Sequence, residues 1–142
     1  MIIRPFKDSD TETVAALWRE VFPNNPPWNV PEKDIRKKLE VQRELFIVAE
    51  INSTIIGTAM AGYDGHRGWV YYVAVSPKYR RKGIGDSLMR RVEDELIKMG
   101  CTKLNLQVRA SNKDVIEFYE KLGYNVENHV SMGKLLINPD KR

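Results

Sequence analysis

The segment Val73-Ala74-Val75-Ser76-Pro77-Lys78-Tyr79-Arg80-Arg81-Lys82-Gly83-Ile84-Gly85 carries the clearest chemical signal in the chain. It reads as a strand, a tight basic loop and the start of a helix. A helix start offers unpaired backbone N–H groups and positive dipole potential. Gly83 and Gly85 remove side chains, so a ligand can approach the backbone closely. Arg81 and Lys82 add mobile positive charge. This combination makes an anion site suited to phosphate or pyrophosphate. It is neither GxxxxGK[ST] nor GxGxxG, since only Gly83 and Gly85 are present. A second candidate is Tyr119, which falls on the apolar stripe of a later helix, so its phenol points inward. From spacing alone it reads as a core tyrosine, with a positioned acid as the alternative. His66 and His129 are isolated and no Cys/His cluster exists, so no metal centre is expected.

The elements that must position these groups follow from periodicity. Ile2–Arg4 is a short β-branched run ended by Pro5. Ser9 and Glu12 form a capping box. Val14, Leu17, Trp18, Val21 and Phe22 then recur with helical spacing. Pro23 to Pro31 is a stiff proline-rich loop that presents Trp28. A helix starts at Pro31 and runs to about Val41, with Glu32 and Asp34 near its positive end. Strands are expected at Leu45–Ile51, Ile55–Tyr63 and Trp69–Val75, joined by tight turns. A helix follows from Gly83 to Met99, with Gly100 as its stop. Leu104, Leu106 and Val108 alternate as a half-buried strand. Ser111 and Asp114 cap a last helix carrying Val115, Phe118, Tyr119 and Leu122 on one face. Tyr124–Val126 and Val130–Ile137 read as final strands. The order β-α-α-β-β-β-α-β-α-β-β predicts an α/β fold, a mixed sheet flanked by helices.

Composition sets the outer bounds. The chain has 142 residues, 23 Lys+Arg and 19 Asp+Glu, a net charge of +4. One domain over residues 1–142 is the natural count at this length. Abundant apolar residues exclude disorder, and a single cysteine, Cys101, excludes a disulfide scaffold. Cys101 reads as a small buried side chain. No apolar run approaches the roughly 18 residues of a membrane span, and no signal peptide is visible, so a cytoplasmic location is expected. A charge of +4 is too small to argue for nucleic acid, and Lys78 to Lys82 spans too few residues for a backbone track.

The chain resembles the GCN5-related N-acetyltransferases (GNAT). Their cofactor motif, Gln/Arg-x-x-Gly-x-Gly/Ala after an apolar strand, stands here as Arg80-Arg81-Lys82-Gly83-Ile84-Gly85 after Tyr72-Val73-Ala74-Val75. A second family segment, Asn at a helix start followed by Tyr-x-x-x-Gly-Phe/Tyr, stands here as Asn112 and Tyr119-Glu120-Lys121-Leu122-Gly123-Tyr124. The resemblance covers nearly the whole chain and is greatest to the small YpeA-type bacterial members. It implies a mostly antiparallel central sheet and acetyl-CoA as acyl donor. It implies that backbone groups of Val73 and Val75 pair with the pantetheine arm where two strands splay. It places the pyrophosphate on the amides of Arg81, Lys82, Gly83, Ile84 and Gly85, with Arg80 before them and Asp86 and Ser87 just behind. Asn112 would contact the pantetheine or diphosphate. A backbone N–H near Val73 would polarise the thioester carbonyl. Tyr119 would protonate the leaving thiolate.

The resemblance implies as acceptor a primary amine on a small molecule or peptide, whose ammonium, with a pKa near ~10.4, would have to lose a proton before attack. The segment Leu106 to Asn112 resembles that of the ribosomal-protein N-terminal acetyltransferases, which carry a glutamate base where this chain has Gln107. Gln107 cannot take a proton. Glu50, Asp64 and His66 are candidate bases, and none is assigned. Trp28, Trp69 and Tyr71, with Tyr63, are expected to form an aromatic acceptor wall. Packing under helices is the competing reading for Trp69 and Tyr71. Period-2 alternation puts Trp69, Tyr71, Val73 and Val75 on one strand face. Exposed sheet edges near Val130–Ile137 suggest a homodimer. The alternative to a transferase is an acyl-CoA sensor of the same fold.

Overall fold

The computed structural model describes residues 1–137. β1 spans Ile2–Pro5, α1 Thr11–Val21, α2 Pro31–Lys38, β2 Phe46–Ile51 and β3 Thr54–Tyr63. They are followed by β4 (Gly68–Val75), α3 (Ile84–Lys98), β5 (Leu104–Asn105) and α4 (Lys113–Lys121). Contacts divide the chain into two compact units, one over Met1–Gln107 and one beginning at Val108. The first holds the whole sheet, in the order β1-β2-β3-β4-β5. The first three pairings are antiparallel and β4–β5 is parallel, so the sheet is mixed and mostly antiparallel.

Helices cover both faces of this sheet. A Cβ on Gly57 would sit 3.0 Å from the Leu88 side chain of α3, whereas the neighbouring Thr58 receives a hydrogen bond from Trp18 of α1. Adjacent strand residues point to opposite faces, so α1 and α3 lie on opposite sides. Glycine at 57 is what lets α3 come this close: its Cβ would also meet the Ala74 carbonyl at 3.1 Å. On the α1 side, Val14, Leu17, Trp18 and Ile35 pack with Phe46, Val48 and Ala74. Phe6 stacks on Phe46 at 4.4 Å, and Trp18 stacks on Tyr72 at 3.8 Å. On the α3 side, Ile84, Leu88, Met89, Val92 and Leu96 are buried.

Several local expectations change. The capping box at Ser9 and Glu12 is not what starts α1. Asp10 accepts from the Lys7 N–H at 2.8 Å and from both Arg4 nitrogens, closing a 3-10 turn before the helix. Burial pushes the Asp10 carboxyl up, but the Arg4 guanidinium and Lys7 amide outweigh it and hold it below its ordinary value. α2 ends at Lys38 because Gln42 turns left-handed (φ 51°) and its amide both accepts from Tyr63 N–H and donates to Tyr63 O. β5 is only Leu104–Asn105, not an alternating strand through Val108. Cys101 is half-buried rather than buried. Ser111 does not cap α4; the Asn112 side chain does, accepting from Val115 N–H.

In the second unit, Tyr124–Val126 and Val130–Ile137 form no strand among the described residues. Their aliphatic side chains stay exposed, Val130 at 87% and Leu136 at 88%. Alternation makes a strand only where a partner ladder exists to take its backbone groups. The sheet edge on which a dimer was expected is therefore absent there.

Candidate functional site

β4 is irregular where the chemistry is expected. Met60 pairs with Tyr71 and Thr58 with Ala74, so Tyr72 and Val73 together oppose Ala59. This is a β-bulge, and Tyr72 adopts φ 51° within it. One extra residue inverts the alternation beyond it. Trp69 and Tyr71 pair with Gly62 and Met60 on the α1 face, whereas Val75 pairs with Gly57 on the α3 face. The expected common face for Trp69, Tyr71, Val73 and Val75 is thus broken by the bulge.

Buried groups hold the bulge in place. The Thr58 hydroxyl, fully buried, donates to the Tyr72 carbonyl at 2.7 Å and accepts from Trp18 Nε1 at 2.9 Å. The Tyr72 phenol donates to Asp34 Oδ2 at 2.7 Å and accepts from Asn25 Nδ2 at 3.1 Å. Burial and the Asp34 carboxylate push that phenol well above the ordinary tyrosine value, so it stays protonated. Sequence reasoning missed this network. Its members lie far apart in the chain, and no local residue pattern marks the bulge that the register shift and the positive φ of Tyr72 reveal.

β4 also has a bare edge. Its ladder to β5 consists of Gly68 with Leu104 and Trp69 with Asn105. From Val70 to Val75 that edge has no strand partner among the described residues. An unpaired edge is a template for an extended ligand. It runs toward the basic loop. A 3-10 turn at Pro77–Tyr79 leads to Arg81 (φ 64°) and Gly83 (φ 74°), and α3 begins at Ile84. The first helical hydrogen bond is Ser87 N–H to Gly83 O at 3.1 Å, doubled by Ser87 Oγ at 3.1 Å. No side chain caps the helix start, so the amides of Ile84, Gly85 and Asp86 lack an intrahelical acceptor. Arg80 folds back, its Nε donating to Val75 O at 3.4 Å. Lys82 Nζ lies 5.4 Å over the Tyr79 ring.

The remaining expected site residues are distributed as follows. In the second unit, Asn112 is an exposed cap, and Tyr119 is 8% exposed with edge contacts to Phe118 and Tyr124. Burial raises the Tyr119 phenol to about 12. In the first unit, Trp69 and Tyr71 stack at 6.5 Å, and Tyr71 is half exposed. Trp28 is exposed on its loop, and no ring contact joins it to them among the described residues. The same loop shapes a cleft of about 350 Å³ whose aromatic lining is Trp18 and Phe22 instead. Of the candidate bases, Glu50 is bound by Arg4 at 3.0 Å, and Asp64 accepts from the His66 and Arg67 amides at 2.7 Å each. Both are structural groups. Among the described residues no helix is long and apolar enough to cross a membrane, and no cluster could hold a metal ion.

A model of the Acetyltransferase (GNAT) family matches residues 11–124. An acetyltransferase of Yersinia pestis (strain Pestoides F) is 50% identical over 137 residues, 96% of each chain. An acetyltransferase of Pectobacterium atrosepticum is 47% identical over the same shares. Among solved structures, the ribosomal-protein-S18-alanine N-acetyltransferase from Escherichia coli superimposes with a TM-score of 0.73 at 28% identity, covering 87% of this chain and 77% of that one. Aminoglycoside N-acetyltransferase AAC(6')-Iy in complex with CoA gives 0.79 at 18% identity, covering 96% and 95%, a likeness of fold. The bulged, half-paired β4 and the uncapped start of α3 lie inside the segment the family model matches, and the chain is an acetyltransferase of the GNAT family.

Proposed function

We propose that the chain moves an acetyl group from acetyl-CoA directly to a primary amine on a small molecule or peptide, both units working as one domain. The observation that carries this is the bare β4 edge from Val70 to Val75 leading to an uncapped helix start. A pantetheine arm carries amide groups and can pair with the Val73 and Val75 backbone as an added strand. Arg80 occupies the Val75 carbonyl in the free protein. A pantetheine N–H taking that carbonyl would release the guanidinium toward phosphate. The amides of Arg81 to Gly85, with Asp86 and Ser87 behind, then hold the pyrophosphate. The Asn112 oxygen is used as a helix cap, which leaves its Nδ2 to donate to the cofactor.

The chemistry is aminolysis of a thioester. The amine nitrogen attacks the carbonyl carbon, a backbone N–H at Val73 stabilises the oxyanion, and the carbon–sulfur bond breaks. Tyr119 hydrogen-bonds the departing thiolate. The amine's proton leaves to water or solvent base, since Glu50 and Asp64 are engaged elsewhere. Trp28, Trp69 and Tyr71 contact the acceptor. The test is titration calorimetry with acetyl-CoA, with desulfo-CoA and ATP as controls, followed by thiol release over a panel of amines. Saturable acetyl-CoA binding with amine-dependent thiol release supports the reading. A folded protein that binds no acetyl-CoA overturns it.

A further inference from the structure

The α1 face of the sheet carries a cation that has no ion-pair partner among the described residues. Lys38, at the end of α2, places its Nζ 3.7 Å from where a Cβ on Gly62 would be, beside Gln42 Oε1. A Cβ at 62 would only meet the ammonium at ordinary van der Waals distance, so the ammonium lies directly over this strand position. Gly62 pairs with Trp69, and Trp69 pairs with Asn105, so Lys38, Trp69 and Asn105 form a row across β3, β4 and β5. Burial holds the Lys38 amine below its ordinary value, against the opposing charge of Glu44, with which it forms no ion pair among the described residues. A partly desolvated cation without a counter-ion gains from an incoming anion. At the other end of the row, Asn105 Oδ1 is buried and accepts no hydrogen bond among the described residues. A buried carbonyl in that state is stabilised by any N–H that reaches it.

The position of the row relative to the bulge sets a length. Ala59 lies opposite Tyr72 and Val73, and Gly62 is three residues further along β3, about 10 Å away at strand spacing. We propose that this row is the acceptor subsite for a peptide whose carboxylate, about 10 Å from the reacting amine, pairs with Lys38 while a peptide N–H reaches Asn105 Oδ1. The inference rests on the transferase reading, which puts the thioester at Val73. An extended peptide covers that span with an acidic side chain on its third residue or with the C-terminus of a tripeptide. A free α-amino acid is too short.

The experiment uses reaction products, so that binding is read without turnover. The full chain is titrated with N-acetyl-Gly-Gly-Glu amide against its Gln counterpart, and with N-acetyl-triglycine against its amide. The acidic member of at least one pair should bind on the order of tenfold more tightly, and the pair that shows it identifies the source of the carboxylate. Lys38→Met should bring that pair to equal affinity, and Lys38→Glu should reverse the preference toward N-acetyl-Gly-Gly-Lys amide. Asn105→Leu should weaken both members alike and keep their ratio. Equal affinities in the wild type, or a preference that survives Lys38→Met, overturns the proposal; unchanged affinities in Asn105→Leu overturn the part given to Asn105. Acetyl-CoA is titrated into the same samples. Loss of acetyl-CoA binding with the acid preference intact sinks the donor assignment and leaves the anion subsite standing.

Discussion

Tyr119→Phe is the substitution whose magnitude can be worked through. The phenol is raised to about 12 by burial alone. An ordinary thiol titrates near ~8.5, so full proton transfer from this phenol to a thiolate is uphill by roughly 5 kcal/mol. On the proposed mechanism Tyr119 would therefore act by a hydrogen bond to the developing thiolate, with the proton retained. A hydrogen bond to a charged group contributes about 1.5–3 kcal/mol, which is ~10- to 160-fold in rate. Phenylalanine keeps the ring, and with it the edge contacts to Phe118 and Tyr124. The assay is kcat for thiol release at saturating acetyl-CoA and acceptor, with acetyl-CoA affinity measured separately by calorimetry. kcat should fall within that range while affinity changes little. Across pH 6 to 10, on the order of the titration range of an alkylammonium, both proteins should gain rate in parallel as the acceptor loses its proton. Equal turnover in the variant would remove the role. A loss beyond about 10³-fold, or a wild-type limb near neutral pH that vanishes with the phenol, would refute the hydrogen-bond reasoning.

The same burial predicts a stability limb. The folded phenol, at about 12, lies above its ordinary 10.0, so its contribution is complete below about pH 10 and is lost as pH rises toward 12. Urea denaturation of wild type and Tyr119→Phe between pH 8 and 11 should show the difference. Gly83→Val places a β-branched residue at φ 74°, where a Cβ meets nothing within 4 Å, so the damage is backbone strain at the helix start rather than a clash. Acetyl-CoA affinity by calorimetry should fall at least about tenfold. Thr58→Val leaves Trp18 Nε1 and the Tyr72 carbonyl without their buried partner, at about 2–4 kcal/mol by denaturant titration, and turnover should fall with the loosened bulge. Asp10→Asn should remove the part of the acid-unfolding limb that appears as pH drops below the ordinary carboxylate value, since the Asp10 carboxyl is held below it.

Much of the fold, including the basic loop and the helix start at Gly83, is legible in the sequence, because the signals are local. Helical spacing in α1, α3 and α4, β-branched runs in β2 to β4, and glycines beside a basic loop each depend on neighbours within a turn or a strand. The two motif segments around Gly83 and Tyr119 point to the family for the same reason: short patterns carry their own geometry. What the sequence alone misstates is long-range. Val130–Ile137 alternates like a strand, but no ladder meets it among the described residues. Asp10 organises the start of α1 only because Arg4, itself held by Glu50 of β2, arrives beside it from β1. The bulge at Tyr72 is set by Thr58, Asp34 and Asn25, residues 14, 38 and 47 positions away in sequence. That one extra residue in β4 decides which side chains face α1 and which face α3. The placement of Lys38 over Gly62 is likewise a tertiary fact, since a helix end and a strand meet there only once the sheet has closed. Local periodicity is written in adjacent residues; pairing register and buried hydrogen bonds exist only between segments that the folded chain brings together.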